Sequence, residues 1–463
     1  MALLTHVPTT MFAELRQLWR LALPLMGAQL AQMGMGVTDA IMAGRYGATD
    51  LAGVALGGSV MWPVMMLTMG LVQAVTPTVS QLHGAREFAE IGEVIRQGLW
   101  IALFGATLTV LLLNNVEGLY RWMQVEEAVI EIAVDYLQAC SLGLPALMCF
   151  FCLRFLADGM GFTRPALLIA ISALAMKIPL NAVLIHGLFG FPEMGGVGCG
   201  VAQAFIMWLQ LGLILLVVTR SRFRMTGWMR RLSPPDWPRI RALLLIGVPI
   251  GTTVFAEMGL FAGTTLLLGR FGAEVVASHN IAMNLNGVLF MPPMAIGMAA
   301  TIRIGHRIGG GETLAARSTA LIAILGAALV AAFGSLLVFL LREQLVSLYT
   351  VDPAVVALAS TLLLFVVFFL VLDAVQAACV GTLRGYKDTR VPMYIALFSY
   401  WVVGFPLECI LGFGLLGEPL GVYGFWVGLS AGVGVAAVLL AARLWWLSGD
   451  EAGIRALAMG GRG

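Results

Sequence analysis

Apolar stretches of roughly 20 residues, each long enough to cross a bilayer as a helix, recur along nearly the whole chain with short polar loops between them. Inside lipid every backbone polar group must be satisfied within the protein, which leaves helix bundles or closed barrels. Barrel strands would be about ten residues long with strict in–out alternation. The runs here are longer and do not alternate, so the fold class is an all-α polytopic membrane protein. Composition agrees: 60% of the 463 residues are hydrophobic and 11% charged, against roughly 25% charged in a soluble domain. The 55 glycines suit close helix–helix approach in lipid.

Twelve such spans are predicted, at 17–42, 53–78, 96–114, 129–155, 165–187, 196–219, 242–268, 279–302, 316–341, 355–381, 392–414 and 421–446. Arg16 and Arg20 precede an apolar stretch too long for a cleavable signal peptide. Loop charge orients the spans. One side collects Arg16, Arg20, Arg86, Arg96, Arg154, Arg164, Arg303, Arg307, Arg317, Arg384, Lys387, Arg390 and Arg443, with the run Arg220, Arg222, Arg224, Arg230, Arg231, Arg239 and Arg241 and the terminal Arg455 and Arg462. The other side has Arg45, Arg121, Arg270 and Arg342. The positive-inside rule then puts both termini and the 220–241 segment in the cytoplasm. An even number of spans follows.

Several chemistries are excluded. A P-loop requires G-x-x-x-x-G-K-[ST], and the only lysines, Lys177 and Lys387, follow Met176 and Tyr386. The five histidines, His6, His83, His186, His279 and His306, form no H-E-x-x-H. Cys149 and Cys152 lie in an apolar helix with nothing nearby to complete a zinc site. The six cysteines all fall in apolar segments and read as small core residues. No nucleophile–base pair marks an enzyme, no cofactor motif is present, and a net charge of +2 implies no nucleic-acid partner.

The chain is internally repeated. Positions 24–48 align without gaps on 249–273: Pro24 on Pro249, Ala31, Met33 and Gly34 on Ala256, Met258 and Gly259, and Gly44-Arg45-Tyr46-Gly47-Ala48 on Gly269-Arg270-Phe271-Gly272-Ala273. Farther on, Gly159, Thr163 and Arg164 match Gly385, Thr389 and Arg390, and Pro179 matches Pro406. This divides the chain into an N-terminal six-helix lobe over 1–219, a basic cytoplasmic linker over 220–241 and a C-terminal six-helix lobe over 242–463. Six spans per copy insert the copies the same way up, as in transporters built from parallel repeats. Two facing lobes leave a cleft whose opening can alternate.

Three carboxylates fall inside spans, where each costs on the order of 3 kcal/mol and must face a cavity or a partner. At 1.5 Å per residue, Asp39 lies about 9 Å below Arg45, Glu257 roughly 20 Å from Arg270 near the midplane, and Asp373 about 16 Å from Arg384. Glu257 aligns with Gln32, and Asp39 with Thr264, so each copy keeps an acid where the other has none. Lys177 and Asn181, at i and i+4, share a helix face that can meet Asp39, either as a structural ion pair or as a switch. Glu408, the aligned counterpart of Asn181, is a second-lobe analogue or a packed acid. Pro24, Pro249 and Met291-Pro292-Pro293-Met294 are expected to bend their spans.

Val37-Thr38-Asp39-Ala40-Ile41-Met42-Ala43-Gly44-Arg45-Tyr46-Gly47-Ala48 resembles the first-span signature of the MATE family (multidrug and toxic compound extrusion). Gly161-Phe162-Thr163-Arg164-Pro165, Ala256-Glu257-Met258-Gly259, Met291-Pro292 with Ala299-Ala300-Thr301-Ile302-Arg303, and Leu383-Arg384-Gly385 with Asp388-Thr389-Arg390 extend the resemblance over essentially the whole chain. Within the family the chain is most similar to the bacterial NorM branch, which carries a glutamate in span seven and an aspartate in span ten, as Glu257 and Asp373 stand here. The resemblance implies an antiporter of a bacterial inner membrane, a monomer in the bilayer, in which entry of H⁺ or Na⁺ drives export of cationic, lipophilic drugs and dyes. It implies a first-lobe cation site at Asp39 and Asn181 and a second-lobe cation and drug site at Glu257 and Asp373. Asp39, Glu257 and Asp373 would be the metal ligands if Na⁺ is the coupling ion, with Lys177, Gln32 and Glu408 as modulators. Lys177 departs from the pattern, because its charge competes with bound Na⁺. A lipid-linked oligosaccharide flippase of the wider superfamily is the alternative, but it would want a cationic cleft for pyrophosphate, and here buried acids exceed buried bases.

Overall fold

A computed structural model describes residues 11–230 and 233–459. His6, Arg231 and Arg462 lie outside the described residues, whose regular elements are all helices, with no strand among them. Ten of the helices are long and apolar enough to cross a membrane, and the pair Glu127–Ser141 and Leu144–Gly159, bent by 49°, makes an eleventh. The remaining expected span is Met11–Tyr46, a helix of 36 residues. Gln29, Gln32, Thr38 and Asp39 dilute its apolar run.

The chain divides into two compact units. The N-terminal unit is Gly27–Met258 with Met459–Gly463, and the C-terminal unit is Gly259–Ala458 with Met1–Met26. The divisions at 26/27 and 258/259 cut the helices Met11–Tyr46 and Trp237–Leu268 rather than falling in loops. Pro24, Pro249, Pro292 and Pro293 all sit inside continuous helices.

Within the N-terminal unit, Ala48–Gln73 and Trp237–Leu268 approach so closely that a Cβ on Gly70 would collide with the backbone of Gly251, and one on Gly247 with the backbone of Leu71. Without side chains at those positions the helix backbones gain the dispersion contacts that hold helices together in lipid. Thr68 and Thr109 add a buried hydroxyl–hydroxyl contact of 2.9 Å between helices. The basic linker is docked on the start of Phe88–Leu113: Arg96 donates to the carbonyls of Gly227 and Trp228, Gln97 to that of Pro234, and Glu90 takes Arg239 at 2.7 Å.

The C-terminal unit uses the same device. Gly297 and Gly381 face each other without intervening side chains, and Thr301 Oγ1 donates to Gly381 O at 2.7 Å. In the same unit Glu14, ahead of the apolar part of its helix, accepts from Arg303 at 2.8 Å, Arg307 at 3.0 Å and Thr319 at 2.7 Å. Burial alone would raise the Glu14 carboxyl, but the two guanidiniums and the hydroxyl outweigh it and lower it below its ordinary value.

The repeat is visible in backbone detail. Arg164–His186 ends on Gly187 at φ 63°, ψ 36°, and Phe405–Phe413 ends on Gly414 at φ 70°, ψ 36°. Both are left-handed C-caps that favour glycine. Arg164–His186 has 23 residues and its counterpart Arg390–Phe413 has 24. The extra residue is absorbed in the π-helical turn Phe398–Gly404, since a π-bulge accommodates one inserted residue in an α-helix. Register beyond it is restored, so Pro406 and Glu408 occupy the places of Pro179 and Asn181.

Candidate functional site

The first cluster lies in the N-terminal unit. Asp39 comes from the C-terminal part of Met11–Tyr46, and Lys177 and Asn181 come from successive turns of Arg164–His186. Their exposures are 6%, 1% and 0%. Lys177 Nζ donates to Asp39 Oδ2 at 2.7 Å, and Asn181 Nδ2 donates to Asp39 Oδ1 at 2.8 Å. Both carboxylate oxygens are thereby satisfied by N–H donors. The ammonium has a further acceptor in Gln203 Oε1, on Gly196–Val218. The i, i+4 spacing of Lys177 and Asn181 is what lets one helix grip both oxygens. The sequence pairing of these three residues is therefore realised in space. Gln203 was not signalled by spacing; its only mark is an amide in a largely apolar span that also carries Gln210.

The pseudo-equivalent place in the C-terminal unit has the same geometry with the chemistry exchanged. Thr264 stands where Asp39 stands, and Glu408 where Asn181 stands. Thr264 Oγ1 lies 2.6 Å from Glu408 Oε2. The acid has moved from the first helix of the pair to the second. Glu408 is fully buried.

Asp373 is buried on Pro353–Gly385, one turn before Gln376. Gln376 Nε2 donates to Tyr400 Oη in the π-helical turn, so that irregular turn is tied to the helix carrying Asp373. Glu257 and Gln32 are half-buried on their helices. Glu257 belongs to the N-terminal unit and Asp373 to the C-terminal one. Among the described residues no three His, Cys, Asp or Glu side chains cluster as a metal site, and the six cysteines are free thiols.

The family model MatE matches residues 24–183 and 249–410, one stretch in each copy of the repeat. The chain belongs to the MatE family. Two curated relatives resemble it over nearly its whole length. Multidrug resistance protein PmpM of Pseudomonas aeruginosa is 41% identical over 435 residues, 93% of this chain and 91% of its own. Multidrug resistance protein NorM of Vibrio cholerae is 40% identical over 437 residues, 94% of this chain and 96% of its own. The fold is also that of the eukaryotic MATE transporter AtDTX14, whose crystal structure superposes with a TM-score of 0.87 at 20% identity, covering 98% of this chain and 99% of that one. The NorM-type assignment and the two-lobed helical architecture expected from the sequence are both supported by these matches.

Proposed function

We propose that this MatE protein is a multidrug efflux transporter of the bacterial inner membrane, with both termini cytoplasmic, that works as a monomer and exports cationic lipophilic compounds in exchange for an inward-moving cation. The observation that carries this reading is the identity of about 40% to multidrug resistance proteins across more than nine-tenths of the chain. The carboxylates held inside its spans add physical support. An acid in the membrane is retained where it serves an ion or substrate path.

The mechanism follows from sharing. An organic cation and a coupling cation both require negative charge in a cavity of low dielectric, and the two exclude each other where they use the same acid. Exclusive occupancy is what exchange requires. In the N-terminal unit the coupling ion acts at Asp39 and Asn181. Both oxygens of Asp39 already receive N–H donors, and Lys177 supplies a full positive charge beside them. Sodium, which as a hard cation seeks about six oxygen ligands, would have to displace that ammonium. A proton needs only one lone pair of Asp39 and no further oxygen ligands. The donor set thus favours H⁺ at Asp39. Glu257 and Asp373, each within its own unit, are each an acid at which an organic cation and the coupling ion compete, and Gln32 and Lys177 tune the charge around the acids.

The test is export from cells lacking their own pumps. Cells expressing the wild type should accumulate less of a fluorescent cation than cells with an empty vector. Glu257→Gln, with its shape kept and only its charge removed, should accumulate as much as the empty vector at equal membrane abundance. Wild-type accumulation equal to the vector control would overturn the efflux reading; full export by Glu257→Gln would remove Glu257 from the mechanism.

A further inference from the structure

The exchanged pair Thr264–Glu408 has a property that the Asp39 cluster lacks. Thr264 Oγ1 lies 2.9 Å from Leu260 O and 2.6 Å from Glu408 Oε2. A hydroxyl carries a single hydrogen. If that hydrogen goes to Leu260 O, the contact with Glu408 is a hydrogen bond only when Oε2 itself carries a hydrogen and donates it to the hydroxyl. The other oxygen, Oε1, is buried and has no hydrogen-bond partner among the described residues. An ionised carboxylate in that condition would be far costlier than a neutral acid.

The countercharge is also missing from this place in the repeat. One turn before Asn181 stands Lys177; one turn before Glu408 stands Gly404. On the neighbouring helix, Gln203 is matched by Leu429 when Gly195 and Gly421, each the left-handed N-cap of that helix, are aligned. Ammonium and amide are replaced by glycine and leucine. The titratable groups on the elements around it are Cys409 on the same segment, Tyr400 of the π-helical turn, the exposed Tyr423 on Val422–Gly449, and His279, whose Nε2 lies 3.2 Å from Thr265 Oγ1. Residues 259–268 bring none, and Arg443 is taken by Asp388 at 2.7 Å.

We infer that Glu408, with Thr264 as its hydrogen-bond partner, is a proton-binding site of the C-terminal unit, occupied at rest and emptied and refilled during exchange. The ligand is a proton rather than a metal ion. A Cβ on Gly428 would fall 2.7 Å from both Cα and Cγ of Glu408, so the helix backbone is packed against the acid where further oxygen ligands would have to stand. On release, the Oε2–H bond breaks, the proton leaves to water, and the Thr264 hydroxyl turns from Leu260 O to donate to the new carboxylate. The two units then differ in kind: one holds an ion pair, the other a neutral acid.

The coupling role rests on the efflux reading above, whereas the protonation state does not, and the experiment separates them. The full chain in lipid is compared with Glu408→Gln and Glu408→Asp. At neutral pH the infrared difference spectrum of wild type minus Glu408→Gln should contain the C=O stretch of a protonated carboxylic acid. A pair of carboxylate stretches in its place would overturn the proton site. In proteoliposomes, transport of tetraphenylphosphonium driven by a pH gradient should fall about tenfold or more in Glu408→Gln and recover in part in Glu408→Asp, while equilibrium binding of the same cation stays within about twofold. Wild-type transport rates in Glu408→Gln would overturn the coupling role. Should the wild type itself move no tetraphenylphosphonium under either gradient, the efflux reading fails, and with it the coupling role; the infrared spectrum still decides whether the proton is there.

Discussion

Removing Lys177 tests whether the Asp39 cluster is an ion pair whose members depend on each other. At 2.7 Å and an effective dielectric near 20, the Coulomb attraction between the two charges is about 6 kcal/mol. Desolvation of both groups offsets much of it. Breaking one side of such a buried pair typically costs about 3–5 kcal/mol, because the remaining charge stays buried without compensation. Lys177→Met should therefore destabilise the protein by about that amount, leaving Asp39 with only the Asn181 amide. Asp39→Asn should cost a similar amount, leaving the ammonium with Gln203. The double variant loses both charges together and should lie well below the sum of the singles, with a coupling of about 2–3 kcal/mol or more. Unfolding free energies in mixed micelles measure all four corners of this cycle. Single losses that simply add, within about 0.5 kcal/mol, would refute the ion pair as an energetic unit.

Asp373→Asn should weaken a cationic dye about tenfold relative to a neutral analogue, since roughly 3 kcal/mol of attraction to a charge about 5 Å away survives desolvation at about half strength. Paired affinities check it, and equal weakening of both ligands would leave Asp373 a role in shape alone. Glu14 is held below its ordinary pKa of 4.5, so its contribution to stability is full above that value and is lost as pH falls through the lowered one. Glu14→Gln should accordingly be less stable than wild type near neutrality and converge with it in acid, as thermal unfolding from neutral to acidic pH would show. Gly381→Leu places a side chain against the Gly297 backbone and should abolish folded expression, measured as monodisperse protein in detergent; normal yield would contradict the close helix approach.

Much of this architecture was written in the order of residues. Apolar runs of bilayer length dictate helices. Matched prolines and glycine-flanked arginines expose the repeat. The grip of Lys177 and Asn181 on Asp39 follows from a spacing of four on one helix. What spacing cannot carry is contact between helices, and Gln203 is the example: it reaches Lys177 from another span, 26 residues away, and nothing local in the chain links them. The division of Met11–Tyr46 and Trp237–Leu268 between compact units leaves no trace in sequence either, because no loop marks it. The π-helical turn sits between these extremes. Its inserted residue shows as a shift in the alignment between Arg164/Arg390 and Pro179/Pro406, but only the backbone reveals that a bulge absorbs it and keeps Glu408 in the place of Asn181.

Exchange of an organic cation for a proton can be measured directly. Purified protein in sealed proteoliposomes, loaded with a fluorescent organic cation, is given a pH gradient and a sodium gradient in separate experiments, with membrane potential clamped in both. The donor set around Asp39 favours the proton, so the pH gradient alone should drive transport and Asp39→Asn should abolish it. Transport driven by the sodium gradient alone and indifferent to pH would contradict proton exchange.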